Sequence, residues 1–211
     1  LSKEELKKVS NAKISKEIKK GDALFSEGQK LDGVYCVRNG VSKLSKLSSN
    51  GKEQIVKLTN RGEIMGQRSV IAEDYTNLSA TAINDMEVCF IPKEIITTTL
   101  NTNPYFSLEV LRHIAHDLKE ADDVIVNMSQ KTVKQRLAEA LLYLRQNYGE
   151  DESGFLLLTL SRDDYANIVG AATESLIRML SDFKKKGLIK TEGKKIGIVN
   201  DCALKELLDG F

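Results

Sequence analysis

The stretch that most constrains this chain is Ser161 to Phe183, SRDDYANIVGAATESLIRMLSDF, whose residue types suit a helix-turn-helix and few other local structures. Ser161 followed three residues later by Asp164 is a capping box, which predicts a helix start at that point. Ala166 is small enough for a close helix crossing, and Gly170, four residues on, supplies the positive φ that a sharp inter-helix turn requires. Tyr165, Val169, Ala171, Leu176 and Met179 then fall on the faces that the two helices share. The second helix buries one side and leaves Thr173, Glu174, Ser175 and Arg178 on the other. Arginine bonds guanine through two parallel hydrogen bonds and glutamate accepts from the cytosine amino group, so this polar face suits the major groove of DNA. The alternative is an ordinary helical hairpin with a solvated face.

At 211 residues the chain has the length of roughly two domains, each able to bury a core. Its net charge of +1 announces no global attraction to nucleic acid. The basic residues are nevertheless unevenly spread: Lys184, Lys185, Lys186, Lys190, Lys194 and Lys195 crowd just after the candidate recognition helix, interrupted by Glu192. Such a local patch meets phosphates even on a neutral molecule. Three cysteines, Cys36, Cys89 and Cys202, lack metal-ligand spacing and read as reduced thiols. No run of about 18 apolar residues and no basic-then-apolar leader is visible, so the expectation is a cytoplasmic protein without a membrane partner. No Ser-His-Asp or Cys-His set has a recognisable frame, and no phosphate-binding glycine loop joins a strand to a helix, so no catalytic residue and no enzyme is expected.

Taken in order, Leu1 to about Ile18 is lysine-rich with apolar Leu6, Val9, Ile14 and Ile18, which predicts a short helix. From Gly21 to Pro92, short β-branched and apolar runs alternate with turns at Gly28, Gly33, Gly40, Asn50-Gly51 and Gly62, the pattern of a small antiparallel barrel or sandwich. After Pro92 the period changes. Lys93–Leu100 reads as a short helix, and Pro104 opens a long one on which Leu111, Ile114, Leu118, Ala121, Ile125 and Met128 keep a heptad seam. Pairing of two copies along that seam is favoured over its burial within one chain. Met128-Ser129-Gln130 reads as a hinge, Thr132–Asn147 as a helix, GEDESG at Gly149–Gly154 as an exposed acidic loop, and FLLLTL as a short buried strand. GLIKTEGKKIGIVN, with Gly193 at its centre, is a β-hairpin, and two strands after a helix-turn-helix make a wing.

These segments resemble the Crp/Fnr family of bacterial transcription regulators. The resemblance runs through GDALFSEG and the Gly62-Glu63-Ile64-Met65-Gly66 frame, and more closely through SRDDYANIVGAATESLIRML and GLIKTEGKKIGIV. It implies an α+β architecture: an antiparallel β-roll of the cyclic-nucleotide-binding type over residues 1–103, a dimerisation helix and hinge over 104–130, and a winged helix-turn-helix over 131–211. It also implies that Glu174 and Arg178 read a G·C pair, that Arg162 meets a phosphate, and that Thr173 stands where some members carry another base-reading arginine. With Ser175 and Lys194 these make up the expected DNA-binding set, acting twice on a palindromic duplex.

The resemblance places an effector pocket at Gly66, Gln67, Arg68, Ser69 and Ser79, with departures. Cyclic-AMP-binding relatives hold the ribose with a glutamate after the glycine and the cyclic phosphate with an Arg-Ser pair; here Gly66-Gln67 and Asn77-Leu78-Ser79 stand in those places, and Ala121-Asp122 replaces the adenine-contacting Thr-Ser pair on the long helix. Burying a phosphate without a cation costs several kcal/mol, so cyclic AMP is not the expected ligand, and effector and cofactor stay unknown. The cysteine cluster that holds an iron-sulfur centre in other relatives has no counterpart in this sequence. His113 and His116 leave a haem- or metal-dependent sensor as an alternative, with exposed helix histidines preferred and no metal site assigned. A constitutive DNA binder with no effector is the other alternative. RNA polymerase is a further candidate partner through the acidic loop.

Overall fold

The structure, a computed structural model, describes residues 1–208 and divides into two compact units, Leu1–Ala121 and Asp122–Phe211. The division falls inside the long helix, within the stretch assigned from the sequence to dimerisation.

The first unit opens with α1 (Lys3–Ala12), capped by a Ser2–Glu5 box. The short helix expected in this stretch ends at Ala12, and Ile14–Ile18 forms strand β1, paired antiparallel with β8. Strands β2 (Ala23–Phe25), β3 (Gly33–Asn39), β4 (Ser42–Leu47), β5 (Glu53–Thr59), β6 (Ile64–Met65), β7 (Ser79–Ala82) and β8 (Met86–Pro92) follow, with α2 (Gln67–Ala72) between β6 and β7. They form two four-stranded antiparallel sheets, in the orders β1-β8-β3-β6 and β2-β7-β4-β5. Val37, Met65, Met86 and Val88 from the first sheet and Leu24, Phe25, Ala80 and Ala82 from the second make one buried cluster, so the core lies between the sheets. Each fully buried Val or Met there contributes about 1.5–3 kcal/mol relative to exposure. The Asn50-Gly51 turn closes the β4–β5 hairpin as predicted. Gly33 does not turn the chain. It begins β3, where a Cβ would lie 2.3 Å from the Ile91 carbonyl oxygen, so the glycine serves close strand packing.

Two helices complete the passage to the second unit: α3 (Lys93–Thr102) and α4 (Pro104–Gln130). Met128-Ser129-Gln130 is still helical; the chain leaves the helix at Lys131 and Thr132. Arg136 straps this point, donating to the carbonyl oxygens of Met128 at 3.1 Å, Lys131 at 2.6 Å and Val169 at 2.8 Å.

Helix α5 (Val133–Tyr148), capped by Thr132 and Gln135, buries Leu137, Leu141 and Leu144 against α6 (Arg162–Val169) and a short helix α8 (Asp201–Glu206) that the sequence reading did not predict. Helix α7 (Thr173–Lys185) follows α6, and β9 (Ile189–Glu192) with β10 (Lys195–Ile198) forms the wing. FLLLTL is not a strand. Its leucines alternate as a strand's would, with Leu156, Leu158 and Leu160 buried and Leu157 exposed, yet only an isolated bridge joins Glu150 and Leu156. No helix among the described residues is long and apolar enough to cross a membrane.

Candidate nucleic-acid interface

The helix-turn-helix is built as its residue types require. The Ser161 hydroxyl accepts from the Asp164 backbone N–H and the Asp164 carboxylate returns to Ser161, so α6 begins with both ends of its capping box made. Gly170 adopts φ 65° at the turn, and Ala171 N–H reaches back to the Ala166 carbonyl at 3.0 Å. Tyr165, Ala166, Val169 and Leu176 are buried at the crossing, while Ala171 and Met179 are only partly covered. Burial pushes the Tyr165 phenol above its usual range.

Helix α7 has two opposed stripes. Leu176, Leu180 and Phe183 anchor it to the unit, and Glu174, Ile177, Arg178 and Ser181 face outward. Glu174 and Arg178 are thus one turn apart on an exposed surface whose angle is fixed by the buried stripe. Arg178 lies 3.5 Å from the Ser175 hydroxyl, a loose contact that leaves its guanidinium available. Thr173 is not free: its hydroxyl donates to the Asp163 carboxylate at 2.7 Å, tying the start of α7 to α6.

Arg162 also has internal work. Its guanidinium donates to the carbonyl oxygens of Gly193 at 3.0 Å and Lys194 at 3.3 Å, holding the two-residue turn at the wing tip. The lysine patch is correspondingly smaller than its sequence density implies. Lys186 pairs with Asp182 at 3.0 Å, Lys195 pairs with Asp151 at 3.5 Å, and Lys190 donates to the Ser153 carbonyl while lying over the Phe155 ring. Lys184, Lys185 and Lys194 stay exposed. The GEDESG loop is tied down as well: Asp151 accepts from the backbone of Phe155 and Ser153, the Phe155 bond first and then the Lys195 charge holding its carboxyl below the usual aspartate value, and Gly197 approaches so closely that a Cβ there would lie 2.3 Å from the Gly154 carbonyl oxygen.

In the first unit the expected effector residues Gln67, Arg68 and Ser79 are bonded to different partners. Gly66 takes φ 86° at the start of α2 with Leu31 against it. Gln67, in place of the ribose-holding glutamate, donates its amide to Asp117 on α4 at 3.1 Å. Arg68 donates instead to the Asn77 side chain at 3.3 Å. Ser69 contributes its backbone carbonyl to the end of α2. Ser79 accepts from the Glu27 backbone N–H at 2.9 Å, and Lys46 pairs with the Glu27 carboxylate at 2.8 Å. Arg68, Ser79 and Lys46 therefore each have a partner within the roll. A cleft of about 390 Å³ lies elsewhere on the roll, lined in part by Lys16, Lys30, Tyr35 and Phe90 and by none of the five expected residues.

Asp117 belongs to a charge cluster. Lys57 on β5 donates to Asp117 at 2.8 Å and Glu120 at 2.9 Å, with Glu63 at 3.4 Å. Burial alone would lower the Lys57 ammonium, but the hydrogen bonds and charges of Asp117 and Glu120 outweigh it and hold its pKa above the usual lysine value. His113 and His116 each stand 3.8 Å from a carboxylate four residues on, Asp117 and Glu120. His116, Asp117 and Glu120 are close enough to ligate one metal ion. Both carboxylates already hold the Lys57 ammonium, which a cation would have to displace.

The definition of the cyclic nucleotide-binding domain matches residues 15–103, and that of the Crp-like helix-turn-helix domain matches residues 135–207. The chain is 30% identical to the fumarate and nitrate reduction regulatory protein of Vibrio cholerae, over 91% of this chain and 77% of that protein. It is also 30% identical to the transcriptional activator protein Anr of Pseudomonas protegens, over 94% of this chain and 82% of that one. The chain belongs to the Crp/Fnr family. FixK2 from Bradyrhizobium japonicum shares the fold at TM-score 0.82 and 24% identity, covering 92% of this chain and 96% of its own. A transcriptional regulator of the crp/fnr family from Eubacterium rectale does so at 0.84 and 21%, covering 100% and 96%.

As a Crp/Fnr member the chain is a DNA-binding transcription regulator; these relatives are regulators and not enzymes. Two residues of this regulator escaped the sequence reading. Ile177, 49% exposed between Glu174 and Arg178, was obscured because an apolar residue in an amphipathic helix is ordinarily assigned to the core. Asp163 was obscured because its partner Thr173 lies across the turn.

Proposed function

We propose that this Crp/Fnr regulator acts as a homodimer that carries two copies of α7 into successive major grooves of a palindromic site. The observation that carries the proposal is the pairing of Glu174 with Arg178, exposed one turn apart on a helix whose opposite stripe is buried. Glu174 accepts from the cytosine amino group and Arg178 donates to guanine. Ile177 lies on the same exposed stripe, where its apolar surface suits a thymine methyl group. Lys194, with the wing tip that Arg162 holds, meets the phosphate backbone and supplies affinity without sequence preference.

Dimerisation along α4 supplies the second copy. Leu111 and Leu118 are each 62% exposed and Ile125 is 66% exposed, at heptad spacing, and a second copy of the helix is the natural cover for such a stripe. Ile114, Ala121 and Met128 complete the seam. Two half-sites one helical turn, about 34 Å, apart then match the two recognition helices. An effector acts by favouring one spacing of those helices over another. In-vitro selection of duplexes, with solution mass measured on the same sample, tests this reading. It expects a dimer and a G·C-containing palindrome in which Ile177→Ser relaxes one adjacent A·T position. A monomeric protein, or selection without enrichment, defeats it.

A second reading, a regulator that binds DNA constitutively, is favoured by the internal pairing of Gln67, Arg68 and Ser79. It requires the affinity of the purified protein to stay unchanged when the small-molecule fraction of a cell extract is added. RNA polymerase as a partner rests on the surface of the Gly149–Gly154 loop; transcription in a purified system with Glu150 and Glu152 replaced by Ala tests it.

A further inference from the structure

Cys36 and Cys89 are far apart in sequence, yet they are direct partners in the antiparallel ladder between β3 and β8. Directly opposed residues point to the same side of a sheet, so both thiols share one face. Their neighbours in sequence, Val37 and Val88, belong to the buried cluster between the sheets, which puts the thiols on the outer face of theirs. Opposed Cα atoms in such a ladder lie about 4.5–5.5 Å apart. A disulfide spans Cα separations of about 4.4–6.8 Å, so the backbone need not move to accommodate one. Both thiols are free, and a row Ser15, Cys89, Cys36, Ile64 runs across four strands, with the Ser15 hydroxyl 4.0 Å from the Cys89 sulfur. Access is graded along this row: Cys36 is half-buried and Cys89 is buried.

We propose that Cys36 and Cys89 form a two-electron thiol–disulfide site that takes low-molecular-weight disulfides as oxidant and closes an intramolecular bond between β3 and β8. Cys36, the more accessible thiol, loses its proton to solvent and attacks one sulfur of the small disulfide. The reagent's S–S bond breaks, one small thiolate leaves and is protonated, and a mixed disulfide stands on Cys36. Cys89 then loses its proton and attacks the Cys36 sulfur, expelling the second small thiolate, which is protonated in turn. The two protein thiols lose two electrons and two protons, and the small disulfide leaves as two thiols. The ladder holds the two residues directly opposite each other, so the second step is intramolecular and fast compared with the first.

The surroundings set the character of the site. Burial, with Cys89 adding to it, pushes the Cys36 thiol above its ordinary pKa, so little thiolate is present at neutral pH and the first step is slow. The same property makes Cys36 a poor leaving group once the bond exists, so attack on the Cys89 sulfur, which would expel Cys36, is slow and the closed form resists reduction. The site therefore responds to sustained oxidation and not to brief exposure.

The full chain carrying Cys202→Ser, which removes the exposed thiol on α8, is incubated with oxidised glutathione, alkylated in denaturant and mapped by mass spectrometry. The expected result is joint loss of both remaining thiols and a peptide pair linked through Cys36 and Cys89 in a single chain, with dithiothreitol restoring both. In the Cys89→Ser chain the reaction is expected to stop at a glutathione adduct on Cys36. Two alkylatable thiols after prolonged incubation, a stable glutathione adduct with Cys89 still free, or links only between chains would overturn the proposal. The mapping of the chain with both cysteines present decides the matter even if Cys89→Ser fails to fold.

Discussion

Arg162, the first residue of α6, donates its guanidinium to the carbonyl of Gly193 at the tip of the wing, 3.0 Å away, so the start of the helix-turn-helix and the turn of the hairpin are one connected surface. The arrangement makes Arg162 a positioning residue as well as a candidate phosphate contact.

Arg162→Ala is accordingly expected to act on stability and on binding together. Loss of the two carbonyl bonds should lower the stability of the second unit by about 0.5–1.5 kcal/mol. Affinity for specific and random duplexes should fall by similar factors, because the wing tip gives no base readout. Thermal melts beside DNA titrations check this; unchanged stability with weakened binding would assign Arg162 to phosphate contact alone.

The Lys57 cluster predicts a coupled pair. Lys57→Met leaves Glu63, Asp117 and Glu120 facing one another in a partly covered site, and the expected loss is about 1–3 kcal/mol in the first unit. Asp117→Asn in the same background should restore part of it, which a double-mutant cycle by denaturant unfolding measures. The folded pKa of Lys57 is raised, so its contribution is complete below about pH 10.4 and disappears as the pH climbs through the folded value.

Much of this was legible in the sequence, and the misses share a physical cause. Ser161, Asp164 and Gly170 act through their own backbone neighbourhood, so their cap and turn were readable from spacing. The Asn50-Gly51 hairpin and the wing around Gly193 were readable for the same reason. The errors occurred where a residue's role depends on a distant partner. Ile14 and Ile18 fit a helical spacing until β8 claims them, and FLLLTL has a strand's alternation with no neighbouring strand to complete its ladder. At the candidate interface Glu174 and Arg178 were legible from the helical period. The restraint of Arg162 by the wing, of Thr173 by Asp163 and of half the lysine run was not, because each is a tertiary contact.

Acid should weaken the second unit along a defined limb. Hydrogen bonding from Lys186 lowers the Asp182 carboxyl, that from Lys205 lowers Asp201 with Arg145 adding to it, and the Phe155 backbone N–H lowers Asp151. A depressed folded pKa stabilises above the unfolded value of about 3.9 and is lost as pH falls through the folded one. Stability of this unit should therefore be level near neutrality and fall below about pH 5, with a shallower limb in Asp201→Asn. Denaturant midpoints measured across that range check the prediction, and a limb unaltered by Asp201→Asn would contradict it.

Arg178 is expected to read a base. The affinity of the chain and of Arg178→Ala for a selected site and for random duplex, each across a range of salt, decides whether it does. A loss of about 1–3 kcal/mol on the selected site, with random binding and the salt slope unchanged, is the predicted result. Equal losses on both duplexes, with the slope shallower by about one, would show that Arg178 only grips the phosphate backbone.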